Sequence, residues 1–153
     1  MAARHTFRSS LAWTGAAAGP TGPSFARDYV VRTADGAEIE GSAPVVFQGD
    51  GTRASPEDLL VASLSSCHML TYLALCAHKG IRVVAYEDEA EGTIDRVAPR
   101  RTKFVDAVLR PRVRVADPQD AESARALHHD AHERCFVAAS VDFPVRIEPV
   151  IVS

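Results

Sequence analysis

Three thiols, Cys67, Cys76 and Cys135, stand far apart in the chain, and a thiolate is both a nucleophile and a metal ligand. Cys67 and Cys76 are nine residues apart in one apolar run, so at about 100° per residue they project from opposite sides of a helix and cannot pair. Cys76 reads as core. Cys135 follows the polar run HHDAHER and is expected at a boundary or cleft. A Cys67–Cys135 pair is possible only if the fold brings the end of a later helix beside the middle of an earlier one. Otherwise both are buried thiols that act as small hydrophobes. His128, His132 and Cys135 have an H-x3-H-x2-C spacing, which places them along one helical face and, with Cys67, would make four zinc ligands. No CxxC accompanies them, and histidines also suit the negative end of a helix dipole. His68 lies about 100° round from Cys67 and is expected to be a satisfied core histidine. Glu57 complements the dipole of the helix it opens. It lies roughly 15 Å along the axis from Cys67, out of reach within one helix. Two such helices packed antiparallel across a two-fold axis would bring Glu57 of one copy toward Cys67 of the other.

The element that must hold these groups is the helix in SPEDLLVASLSSCHML and beyond. Ser55 is an N-cap, Pro56 suits the first helical position, and Asp58 completes an approximate capping box. Gly80 is the natural stop. The helix should run about 23 residues, roughly 35 Å, which is long for so small a chain. Apolar or small residues surround it nearly completely, so burial on most sides is expected, with a second copy supplying part of the cover. Upstream, residues 5–14 read as a strand with Leu11 and Trp13 on one face, 15–24 as a Gly/Pro loop, and DYVVRT and AEIEGS as a hairpin turning at Asp35-Gly36. Downstream, 83–94 and 102–115 alternate as strands, a second helix runs from Asp117-Pro118 to about Arg134, and 143–152 is a last strand whose prolines suit a sheet edge. This order predicts an α+β fold with a mostly antiparallel sheet, as one domain over 1–153.

The chain has 153 residues, 46% hydrophobic and 24% charged, which is enough for a soluble core. A net charge of −3 argues against nucleic acid, and Arg96, Arg100, Arg101 and Lys103 read as a solvated loop. Ser63, Ser65, Ser66, His68 and Thr71 interrupt the 59–77 run, which favours a buried helix over a membrane span. An odd number of scattered cysteines suits a reducing cytoplasm better than a disulfide framework.

Pro56, Glu57, Leu59, Ala62 and Cys67 resemble, in register, the central helix of the OsmC/Ohr family (osmotically inducible protein C and organic hydroperoxide resistance proteins). AHERCFVAASV, with Cys135 and Ser140, resembles its second cysteine motif, and the element order agrees over essentially the whole chain. The resemblance implies an intertwined homodimer, its sheets wrapped around the long central helices and its two sites at the interface. It implies a peroxidatic Cys67, a resolving Cys135 and a Glu57 that orients an activating arginine, for which Arg27 is the first choice and Arg32 the second. The implied activity is thiol-dependent reduction of organic hydroperoxides, and possibly of hydrogen peroxide, in oxidative stress defence. No bound cofactor is implied, and the reductant would be an external dithiol of lipoyl or thioredoxin type. Phe136 departs from the proline that typically follows the second cysteine in the hydroperoxide-resistance branch, which points to an OsmC-like branch. The alternative is a non-enzymatic OsmC-like protein that binds a small ligand or senses oxidants.

Overall fold

The structure, a computed structural model, describes residues 4–15 and 25–152, so most of the expected Gly/Pro loop, residues 16–24, lies outside the described residues. The chain forms two compact units, Met1–Leu59 and Leu60–Ser153. The fold class is α+β, as the residue patterning predicts.

In the first unit β1 (Ser9–Trp13), β2 (Tyr29–Thr33) and β3 (Glu38–Gly41) form an antiparallel sheet in sequence order. The β2–β3 turn falls at Asp35-Gly36. Gly36 has φ +90°, and its N–H donates to the Thr33 carbonyl at 3.1 Å. A side chain would be strained at that φ, whereas glycine is not. The expected first strand over 5–14 is shorter because its partner β2 ends at Thr33, opposite Ser9. Leu11 and Trp13 share a face, as expected, but Leu11 is exposed.

The long helix α1 (Pro56–His78) opens on the expected box. Ser55 Oγ accepts from the Asp58 N–H at 3.1 Å, while the Asp58 carboxylate accepts from the Ser55 N–H at 2.9 Å. At its other end Gly80, with φ +74°, carries the chain out, and Ile81 N–H donates back to the Cys76 carbonyl at 2.9 Å. Both stops satisfy backbone groups that a helix end leaves orphaned. Within one chain only the stripe Leu64, His68, Tyr72 and Cys76 is buried, and Leu70 is exposed. Burial on most sides, expected from composition, is therefore not reached inside a single copy.

The second unit corrects the strand count. The three expected strands are each interrupted once, giving β4 (Val83–Asp88) and β5 (Glu91–Ala98), β6 (Arg101–Leu109) and β7 (Pro111–Val115), and β8 (Val145–Ile147) and β9 (Val150–Val152). They form two sheets, β4-β7-β9 and β5-β6-β8, antiparallel except for the edge strands β8 and β9, which run parallel to β6 and β7. One register continues through the break, with Asp88 opposite Pro111 and Glu91 opposite Val108. The three interruptions thus make a single waist, at 89–90, Arg110 and 148–149. Its cause is polar. The Asp88 carboxylate accepts the Arg110 N–H at 2.7 Å, taking the place of a ladder bond, and the Arg110 guanidinium pairs with Glu91 at 3.2 Å and Glu148 at 3.4 Å. Pro149 supplies no N–H to the third strand.

The waist also divides the core. Tyr72, Cys76, Ile81, Val113, Val115 and the second helix α2 (Ala121–Arg134) through Ala124, Leu127 and Ala131 form one cluster. Leu64, Ala107 and Leu109 form the other. Asp117 caps a short turn ahead of α2 by accepting the Gln119 N–H at 2.9 Å.

Candidate functional site

Cys67 is carried half-buried on α1, one residue before the buried His68. Cys135 is the residue at which α2 ends. Its backbone leaves the helix with ψ 98°, its N–H donates to the His132 carbonyl at 3.2 Å, and its carbonyl accepts from Ala139 at 3.0 Å. This termination turns the thiol inward, where it is almost wholly buried. The end of α2 comes to the middle of α1, close enough for the Cys67 thiol to act on that of Cys135. Burial first, and then the Cys67 thiol, push the Cys135 thiol up to about 11, against a smaller opposing pull from the backbone N–H groups of Ala138 and Val137. Cys135 therefore keeps its proton at neutral pH. Both thiols are free. Cys76 packs in the core, as expected, with its own thiol raised by burial.

Glu57, Arg27 and Arg32 belong to the first unit. Glu57 is half-buried, and its Oε2 is buried without a partner, which is more than dipole complementation requires. Tyr29 lies close by, its hydroxyl raised by burial and then by the charges of Glu57 and Asp58. Arg27 is engaged elsewhere. It donates to the Phe25 carbonyl at 2.9 Å and to Gln48 Oε1 at 3.1 Å, and its guanidinium lies 4.5 Å from the centre of the Phe25 ring. Arg32 pairs with Glu38 across the β2–β3 hairpin. Among the described residues, neither arginine forms an ion pair with Glu57.

A buried histidine pair is the feature that spacing did not reveal. His68 Nε2 and His128 Nδ1 are 3.0 Å apart, and the His128 ring stacks on Tyr72 with centroids 3.9 Å apart. Burial, then the charge of His132, depress His68 to about 4, opposed by Asp88. Burial, then His68 and Arg125, depress His128 to about 3. Both rings are thus neutral at physiological pH. His68 is a core histidine as expected but only half satisfied, since its Nδ1 and the Nε2 of His128 lack partners. Because His128 faces His68 while Cys135 faces Cys67, the zinc set that the spacing would allow does not converge. Among the described residues no three His, Cys, Asp or Glu side chains form a metal-binding group.

The family model of OsmC-like proteins matches residues 49–150. An OsmC-like protein of unknown function from Vibrio cholerae superposes with a TM-score of 0.89 at 28% identity, covering 96% of this chain and 100% of its own. An organic hydroperoxide resistance protein from Elizabethkingia anophelis gives 0.70 at 16% identity, covering 100% and 99%. Another from Legionella pneumophila gives 0.68 at 18%, covering 99% of both chains. No curated protein matches the chain in sequence. With two thirds of its length inside the family model and the fold shared end to end, the chain belongs to the OsmC-like family.

Proposed function

We propose that the protein is a thiol-dependent peroxidase for organic hydroperoxides, with Cys67 as the attacking thiol and Cys135 as the resolving one. The observation that carries this reading is the approach of the buried Cys135 thiol to the half-buried Cys67. Their difference in burial supports unequal roles. Cys67, the less buried thiol, is the one a peroxide can reach, and Cys135, which keeps its proton, waits beside it. The Cys67 thiolate attacks the O–O bond, takes one oxygen as a sulfenic acid and releases the alcohol after protonation. The Cys135 thiol then condenses with the sulfenic acid, forming a disulfide and expelling water. An external dithiol of lipoyl or thioredoxin type reduces that disulfide and restores both thiols. Three free thiols suit a reducing cytoplasm.

We further propose a homodimer as the working form. α1 is long and apolar enough to pass, by length and composition, for a membrane span, yet its buried stripe is built into two core clusters. A second copy is the simplest cover for the rest. It also gives Glu57 and an arginine, Arg27 or Arg32, a route to the thiols that one helix denies them. Such an arginine would hold a thiolate at neutral pH, and the carboxylate would orient its guanidinium.

Stopped-flow thiol loss on mixing with cumene hydroperoxide is the test. Wild-type protein should lose Cys67 thiol rapidly and cycle with a dithiol. Cys135→Ser should still be oxidised once but lose steady-state turnover by on the order of 100-fold. Slow thiol loss in the wild type, or undiminished cycling by Cys135→Ser, would refute the assignment.

A further inference from the structure

A second site lies on the other flank of α2, in a cleft of about 320 Å³ that neither Cys67 nor Cys135 lines. One wall is polar: Arg125, His128, His129 and His132 project from α2. The other is apolar, with Val145, Ile147 and Pro149 from the β8–β9 segment. Two ring nitrogens on the polar wall are buried without partners, Nε2 of His128 and Nδ1 of His132. The His128 residue is only 2% exposed. Buried polar atoms in folded proteins are nearly always hydrogen-bonded, so two orphans on residues that line one cleft point to a ligand. Arg125 adds a fixed positive charge. Its Nη1 donates to the Pro149 carbonyl at 3.0 Å, which anchors the guanidinium and leaves its other N–H groups to donate.

We propose that this cleft binds a small organic carboxylate, with its anionic end on Arg125, His128 and His132 and its apolar end against Val145, Ile147 and Pro149. The charge decides between ligand classes. No acidic residue lines the cleft, and a permanent guanidinium shares its wall with the three histidines, so a divalent cation would meet imidazoles alone, no neutralising carboxylate and a repelling charge. An inorganic anion would leave the apolar wall unused. A carboxylate uses both walls, and its planar oxygens match the guanidinium fork. Its binding also fixes a tautomer. His128 Nε2 can donate to the ligand only if its Nδ1 accepts from His68 Nε2–H, so the buried pair becomes a relay that orients the binding proton. The cleft volume is at the lower end for small-molecule sites, which suits a body of roughly ten heavy atoms or fewer.

The test is calorimetric titration of the full chain with sodium hexanoate, hexanol, hexylamine, inorganic phosphate and zinc chloride separately. Hexanoate should bind once per chain with a dissociation constant on the order of 0.1–1 mM, a range set by its few heavy atoms. Arg125→Gln and His132→Gln should each weaken it about tenfold or more while far-UV circular dichroism stays unchanged. Hexanoate should also shift the His128 imidazole nitrogens in long-range ¹H–¹⁵N spectra, a reading that needs no substitution in the core. No saturable hexanoate binding, unchanged affinity in both variants, or unmoved His128 nitrogens would overturn the proposal. Phosphate or hexanol binding as tightly as hexanoate, or stoichiometric zinc binding that Arg125→Gln leaves intact, would overturn it too.

Discussion

Lowering the pH from 7 to 5 should drain stability from the second unit through the two rings it keeps neutral. His68 and His128 are depressed to about 4 and about 3, against 6.5 for an unfolded histidine. As pH falls, the unfolded chain therefore takes up these protons first. The stabilisation is complete above pH 6.5 or so and is lost as pH falls toward the folded values. At pH 5 an unfolded imidazole is almost fully protonated, which is about 1.9 kcal/mol per ring relative to pH 7, while the folded rings remain neutral. Two rings give about 3.7 kcal/mol, a large share of the 5–15 kcal/mol by which domains are ordinarily stable. Carboxylates held low in the fold, Asp106 by Arg146 and Asp58 by Ser55, lose their contributions only at lower pH and fall outside this window. Urea unfolding followed by far-UV circular dichroism at pH 7, 6 and 5 measures the slope. The His68→Gln, His128→Gln double variant supplies the comparison, since every other titrating group is common to both proteins. The variant loses ring stacking on Tyr72, so the difference in slope, and not absolute stability, is the readout. If the double variant loses stability between pH 7 and 5 within about 1 kcal/mol of the wild type, the neutral buried pair is refuted.

Leu64 is 1% exposed and packs on Ala107 and Leu109, so Leu64→Ala should lower unfolding free energy by about 3 kcal/mol in urea titrations; a loss below about 1 kcal/mol would mean the site collapses or is not core. Leu70, 64% exposed on α1, should lie in the proposed dimer contact, so Leu70→Glu should convert a dimer to a folded monomer in gel filtration at micromolar concentration. A variant that stays dimeric would move the interface elsewhere.

Local signals in the sequence carried the helix ends and the first hairpin. Ser55, Asp58, Gly80 and Asp35-Gly36 act on backbone within a few residues of themselves, and each sits where its chemistry implies. Alternation located the three long downstream strands but not their interruptions, because a period of two says which face a residue takes and not where a ladder stops. The stop at Arg110 depends on Asp88, 22 residues earlier, and on Glu148 in the third strand. Contacts at long separation were likewise silent. Cys67 and Cys135 are 68 positions apart in the numbering, and His68 and His128 are 60 apart. The thiols were joined by family likeness. The histidines had no such guide, and their spacing to Cys135 pointed to a metal set that the fold does not assemble.

The waist has a consequence for where the thiol sits. Each of the three strands pauses at the same level, and the apolar core divides there as well, so the second unit holds two packed clusters with a charged seam between them. α1 bridges them, rooted by Leu64 in one and by Tyr72 and Cys76 in the other, with Ser65 hydrogen-bonded to the seam residue Asp88. Cys67 falls in the span between those roots. The disulfide of the proposed cycle would therefore form on the length of helix between the two core clusters, where Leu64 and Tyr72 hold it from either side. The helix is thus a single beam shared by both clusters, with the thiol between its two supports.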